Sequence, residues 1–155
     1  ANLGNFSDDF DGNPSYLRGE TCQGIYVNFP NVVDSTRVKV PFGIAQIGKA
    51  FRNEISPRQY IFRTRELEQM EMQFFTRPGE DMDEYEKLRQ YRWDFYKTIG
   101  IAEENLRWSH HENLVFYCKE AYDIEYKFPF GFKELEGLHA RGDYDLTQHQ
   151  KGSGK

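Results

Sequence analysis

Residues 41–75 read PFGIAQIGKAFRNEISPRQYIFRTRELEQMEMQFF. The first part, 42–54, holds Gly43 and Gly48, has little helical periodicity and reads as a strand. Residues 60–76 alternate and are rich in aromatic residues, which predicts a second strand. The turn signal SPR at 56–58 lies between them, so the two strands are expected to pair as an antiparallel hairpin. Successive side chains in a strand point to opposite faces. One face of 60–75 then carries Ile61, Arg63, Arg65, Leu67, Gln69, Glu71, Gln73 and Phe75. The other carries Tyr60, Phe62, Thr64, Glu66, Glu68, Met70, Met72 and Phe74, and reads as the core-like one. From 63 to 71 the odd face is a line of two cations, one apolar residue, an amide and a carboxylate. The preceding strand aligns Gln46, Gly48, Ala50, Arg52 and Glu54, and its small residues leave room for a ligand beside a charged pair.

Working outward, residues 1–16 are rich in Asn, Asp, Gly and Ser and read as loop. Residues 20–34 have apolar residues at Ile25, Val27 and Phe29, and Pro30 is expected to interrupt any long helix. Tyr85, Leu88, Tyr91, Phe95 and Ile99 recur at three and four, which predicts an amphipathic helix over 82–99 closed by Gly100. A shorter helix is expected at 111–121, then strands at 122–128 and 132–140 about the turn PFG. Strands, inserted helices and strands again indicate an α+β fold with an antiparallel β-sheet flanked by helices. On the last strand, Glu134 and Glu136 are expected to share a face.

The chemistry suits a substrate carrying phosphates and an amine. Arginine meets phosphate oxygens with a planar fork that stays charged. Paired glutamates can hold Mg²⁺, and a single glutamate can hold an ammonium group. Alternating Arg and Glu on a strand also fits a solvated face with cross-strand ion pairs, and pattern alone favours that reading. The neighbours His110 and His111 point apart and read as surface residues rather than a metal motif. DYD at 143–145 reads as turn-flanking, and RGD at 141–143 as chance.

Composition narrows the classes. With 155 residues, 38% hydrophobic and 16% aromatic, the chain can bury a core. A net charge of −5 gives no sequence-independent grip on nucleic acid. No run of roughly 18 apolar residues offers a membrane span. The opening ANLGNFSDDFDGN lacks the basic flank and apolar stretch of a signal peptide. Cys22 and Cys118 form neither a metal spacing nor a disulfide framework, so the expected setting is the reducing cytoplasm. The ends, without an opening Met and closing on QKGSGK, read as those of a fragment with no closing element.

FRNE at 51–54 followed by FRTRELEQME at 62–71 resembles motif 2 of the class II aminoacyl-tRNA synthetases. LRGETCQGIYVNF, the hairpin stretch and FPFGFKELEGLHARGDYDLTQHQ extend the resemblance over about residues 16–155, and are similar to the homodimeric glycyl-tRNA synthetases. The resemblance implies a partial catalytic domain over 1–155, with motif 2 at 51–75, a helical insertion at about 80–121 and an acidic ATP-site strand at about 132–140. It implies activation of glycine by ATP with Mg²⁺ and transfer to tRNA(Gly), in an enzyme that dimerises through a region upstream of this span. Arg52 would be the catalytic residue on the α-phosphate. ATP would meet Arg52, Asn53, Glu54, Phe62, Arg63, Arg65, Glu66, Leu67, Glu134 and Leu135. Glycine would meet Arg18, Glu20, Glu68, Gln69 and Glu71. Glu134 and Glu136 would hold Mg²⁺. The chain departs from the family pattern at Gly19 for Pro, Cys22 for Ala, Gly142 for Thr, and Leu67 where a Phe stacks on adenine. The alternatives are a synthetase-like module that binds without catalysing, a minimal core with weak activity, and an enzyme activating another small acid.

Overall fold

The ten-residue strands β1 (Phe42–Phe51) and β2 (Glu66–Phe75) form the expected antiparallel hairpin, in unbroken register from Phe42 opposite Phe75 to Phe51 opposite Glu66. This computed structural model describes residues 16–154; the loop expected over 1–15 lies outside them. The chain divides into two compact units, residues 1–75 and 76–155.

In the first unit, α1 (Cys22–Thr36) covers one face of the hairpin. Phe29 packs on Phe42 and Phe75, at 5.8 and 4.6 Å between ring centroids, and Tyr26 meets Phe75 edge-on at 6.0 Å. Cys22, Ile25 and Tyr26 are buried with them. The helix runs through Pro30, against the expected interruption. Pro30 has no N–H for the carbonyl four residues back, but Ile25 and Phe29, four apart, stay on the buried side and hold the helix to the hairpin. Val27 of the same apolar run is 65% exposed. Arg37 ends the helix in the left-handed conformation, donating its N–H to the Val33 carbonyl (2.8 Å).

This helix decides which face of the hairpin is inside. Leu67, Gln69, Glu71, Gln73 and Phe75 lie on the covered side, while Met70 and Met72 are exposed. The face read as core-like is therefore the outer one. The second strand is also shorter than expected. Residues 60–65 belong to a connection in which Arg58 and Arg63 bridge across a turn with Gln59 and Tyr60 at positive φ.

In the second unit, β3 (Leu106–His110), β4 (Cys118–Phe128) and β5 (Gly131–Arg141) make an antiparallel sheet in that order. Helix α2 (Asp81–Thr98) lies on one face, and its core partners include Leu106, Ile124, Leu138 and Ala140. Tyr85 and Tyr96 are its buried residues; Trp93 stacks on Trp108 (5.0 Å). The helix and its Gly100 terminus agree with the periodicity, but Tyr91, Phe95 and Ile99 are exposed. The stripe turned to the sheet runs through buried Tyr85 and Tyr96, with Leu88, Arg89 and Arg92 half-buried between them. The guanidinium of Arg89 lies over the Tyr122 ring (4.6 Å) and that of Arg92 over Phe95 (4.3 Å), so long cationic stems cover apolar surface.

No helix occupies 111–121; the segment is a loop entering β4. The strand pair at the PF turn is as expected, with Gly131 at φ 103°. A final helix α3 (Tyr144–Ser153) occupies the stretch read as an open tail. Asp143 sits at its N-cap, in keeping with a turn-flanking role, and Arg141 of the RGD triplet pairs with Asp145 (2.7 Å). The α+β class holds, with two antiparallel sheets in place of the expected single one. No helix among the described residues is long and apolar enough to cross a membrane.

Candidate active site over the hairpin

The hairpin register brings Gln46 opposite Glu71, Gly48 opposite Gln69 and Ala50 opposite Leu67 on the face beneath α1. The segment entering α1 is tied to the same place. Phe51 N–H donates to the Arg18 carbonyl (2.8 Å) and Arg18 Nε to the Lys49 carbonyl (2.5 Å). The Arg18 guanidinium lies across Gly48, where a Cβ would overlap Nη2. With the Gln46 amide nitrogen facing the Thr21 carbonyl (2.9 Å), its oxygen accepts from Arg18 Nη1 (3.1 Å). Thr21 N–H donates to Gln69 Oε1 (3.0 Å), Tyr26 OH to Gln73 Oε1 (3.2 Å), and Gln73 Nε2 to Glu71 Oε2 (3.4 Å).

Within this network Glu71 Oε1 and Thr21 Oγ1 are buried without a hydrogen-bond partner among the described residues. A buried carboxylate oxygen left unpaired costs its desolvation in full, and native proteins rarely keep one without a reason.

Beside it is an open cleft of about 680 Å³, lined by Arg18, Gly19, Glu20, Gln23, Arg52, Asn53 and Glu54. Arg52 Nε donates to the Gly19 carbonyl (3.2 Å), which orients the guanidinium. Arg63 pairs with Glu54 (3.6 Å), and Arg65 Nε donates to the Glu54 carbonyl (3.0 Å). Glu20 accepts from Gln23 at the helix entrance. Arg18, Glu20, Arg52, Asn53 and Glu54 thus share one cleft, and Gln69 and Glu71 lie on the covered face of the same hairpin. Phe62 is half-buried in the connection between the strands.

Two expected residues fall elsewhere in this unit. Glu66 and Glu68 are on the outer face of β2, where both pair with Lys49 (3.2 and 3.9 Å). Strand alternation separates Glu68 from its neighbours Gln69 and Glu71, so it cannot share their pocket. Gln46, Thr21 and Gln73 were missed as site residues; the odd–even alignment that singled out Glu71 already placed Gln46 and Gln73 on the required faces.

Glu134, Leu135 and Glu136 lie in the second unit. Between Ile124 and Glu125 the β4–β5 register skips one residue, pairing Ile124 with Glu136 and Glu125 with Glu134, so Leu135 is bulged out. The two glutamates therefore face opposite ways, against the expectation. Glu136 turns to α2, where Arg92 Nε and Nη2 donate to it (2.8 and 2.9 Å) and Tyr96 OH donates at 2.6 Å. Glu134 lies on the other side, near Gly137, Asp123 and His139. The Glu134–Glu136 pair does not fit a shared Mg²⁺: the bulge divides its carboxylates, and one is saturated by an arginine and a phenol.

The hairpin thus carries an arginine-lined cleft and a carboxylate with one buried oxygen, Glu71 Oε1, that has no hydrogen-bond partner among the described residues. Residues 6–150 match the family described as the tRNA synthetase class II core domain (G, H, P, S and T), and the chain belongs to that family. Among its relatives is a glycine–tRNA ligase of Treponema denticola, 58% identical over 90% of this chain and 32% of that protein. Glycine–tRNA ligases of Borrelia hermsii and Chlorobaculum tepidum are 57% and 56% identical, over 100% and 90% of this chain and 35% and 30% of theirs. The chain spans about a third of the length of these relatives.

Proposed function

We propose that the chain carries the motif 2 part of a glycine–tRNA ligase active site. In this reading a glycine carboxylate oxygen attacks the α-phosphorus of ATP. Pyrophosphate leaves, and glycyl-adenylate forms. A terminal ribose hydroxyl of tRNA(Gly) then attacks the carbonyl carbon, releasing AMP. The first step asks the protein mainly for positioning and for stabilising charge on the phosphoryl oxygens.

The position of each side chain supports a role in this reading. Arg52, oriented by the Gly19 carbonyl, has terminal nitrogens for the α-phosphate and is the catalytic residue. Arg63 and Arg65, held by Glu54, serve the outer phosphates, while Asn53, Glu54 and Leu67 serve the adenine. Glu71 takes the glycine ammonium, with Gln69, Arg18 and Glu20 around it. Selection of glycine in this reading is by steric exclusion of larger side chains, which discriminates more strongly than the loss of a methylene contact.

The observation that carries this reading is the buried, unpartnered Glu71 Oε1. An ammonium group supplies the missing donor with a charge-assisted hydrogen bond. Glycine, ATP and tRNA(Gly) are the proposed partners, a second copy is proposed for the whole enzyme, and the cytoplasm is the proposed setting. Pyrophosphate exchange across a panel of amino acids tests it. Exchange stimulated by glycine and lost in Arg52→Ala is expected; exchange with another amino acid, or exchange surviving that substitution, overturns it.

A further inference from the structure

We propose that His111, Asp123 and His139 form a binding site for one divalent transition metal ion of the zinc class, on the face of the β3–β5 sheet turned away from α2. One nitrogen from each imidazole and one carboxylate oxygen come together with all three atoms within 4.8 Å of one another. His111 Nε2 is already 2.8 Å from Asp123 Oδ2, and the two imidazole rings lie 5.9 Å apart at 72°. Two imidazoles and a carboxylate are the donors of three-ligand zinc sites, in which solvent or substrate takes a fourth position.

The sheet builds this convergence from three strands. Asp123 is on the central strand β4. His139 on β5 stands opposite Ala121, and the His111 N–H extends the β3 side of the ladder by donating to the Ala121 carbonyl (3.1 Å). The two histidines thus flank Ala121, a small residue, with Asp123 two positions along. Gly137, directly opposite Asp123, completes the cradle. A Cβ there would lie 3.3 Å from Asp123 Oδ1 and 3.4 Å from His139 Nε2, closer than most side chains tolerate. Bare backbone at Gly137 lets the aspartate and the histidine approach each other. Glu134 Oε1, 3.5 Å from the same point, adds negative charge that favours a cation.

The test titrates tag-free chain with Co²⁺, read by its visible absorption, and with Zn²⁺ by calorimetry. One equivalent should bind, and the zinc-bound chain should unfold at a higher temperature. His139→Ala and Asp123→Asn should each weaken binding by at least about tenfold. Gly137→Ala should weaken it with all three ligands intact. His110→Ala, on the opposite face, should not change it. A millimolar excess of Mg²⁺, which prefers oxygen ligands, should not displace Co²⁺. Imidazole nitrogen resonances of His111 and His139 that shift together on zinc addition to the unaltered chain support the site independently of any variant's folding. No stoichiometric binding, or binding that survives His139→Ala and Asp123→Asn, overturns the proposal, as does displacement by Mg²⁺ or histidine resonances that do not move.

Discussion

Arg92 on α2 grips Glu136 on β5 with three hydrogen bonds of 2.8, 3.1 and 2.9 Å, and Tyr96 adds a fourth to the same carboxylate. About a quarter of each charged side chain is exposed (21% and 26%), so the pair is partly shielded from water. It fastens the helix to the sheet. The bonding to Glu136 raises the affinity of Arg92 for its proton, outweighing the opposite effect of burial.

Glu136→Gln keeps the shape and removes the charge. It should lower the unfolding free energy by about 1–3 kcal/mol, the usual effect of losing a hydrogen-bonded charge. The Mg²⁺ dependence of glycine-stimulated exchange should be unchanged, because Glu136 faces the helix. Denaturant melts and a Mg²⁺ titration of both proteins check this; a shifted Mg²⁺ dependence with unaltered stability would return Glu136 to a metal-binding role.

Tyr96 gives the same contact a pH signature. Burial, and then the Glu136 carboxylate beside it, push its phenol up to about 12 from an ordinary 10. The folded chain therefore holds this proton more tightly than the unfolded one. The stability it confers is complete below pH 10 and is lost as pH rises toward 12. Tyr85, also raised by burial, acts in the same direction. Urea unfolding at pH 9, 10 and 11 should show falling stability, with a shallower fall in Tyr96→Phe. Identical slopes in the two proteins would remove Tyr96 from the account.

Gly48 is occupied from outside by Arg18. Gly48→Ala should displace that guanidinium while leaving the strand, where alanine is acceptable, within about 0.5 kcal/mol of the original stability. Glycine-dependent exchange should lose affinity for glycine, with Arg18→Ala behaving alike and the double variant adding little more. Full additivity of the two losses would show that Gly48 and Arg18 act separately.

The hairpin was legible because strand alternation and a turn signal sit in one continuous stretch, and the motif it carries is local. Its inside and outside were not. That choice depends on α1, whose Ile25–Val27–Phe29 spacing imitates a strand and whose Pro30 imitates a helix end. Once α1 lies on the odd face, Gln69, Glu71 and Gln73 go in and Met70 and Met72 stay out. The Glu134–Glu136 pairing failed for another reason. A bulge at Leu135 is a property of the match between two strands, so no periodicity within β5 announces it. The cluster of His111, Asp123 and His139 is equally invisible in sequence, since its members come from three regions joined only by the β3–β4–β5 register. Helix α3 gave no apolar periodicity because, apart from Tyr144 and Leu146, its residues are polar or glycine, and none is buried.

Glu71 is the centre of the functional reading, and one comparison reaches it directly. Calorimetry would measure a non-hydrolysable sulfamoyl analogue of glycyl-adenylate and its des-amino counterpart against the original chain and Glu71→Gln. In the original chain the amine should be worth a charge-assisted hydrogen bond, on the order of 1.5–3 kcal/mol. Glu71→Gln should abolish most of that difference and leave the des-amino analogue bound as before. If the amine is preferred equally strongly in both proteins, Glu71 does not hold the glycine ammonium.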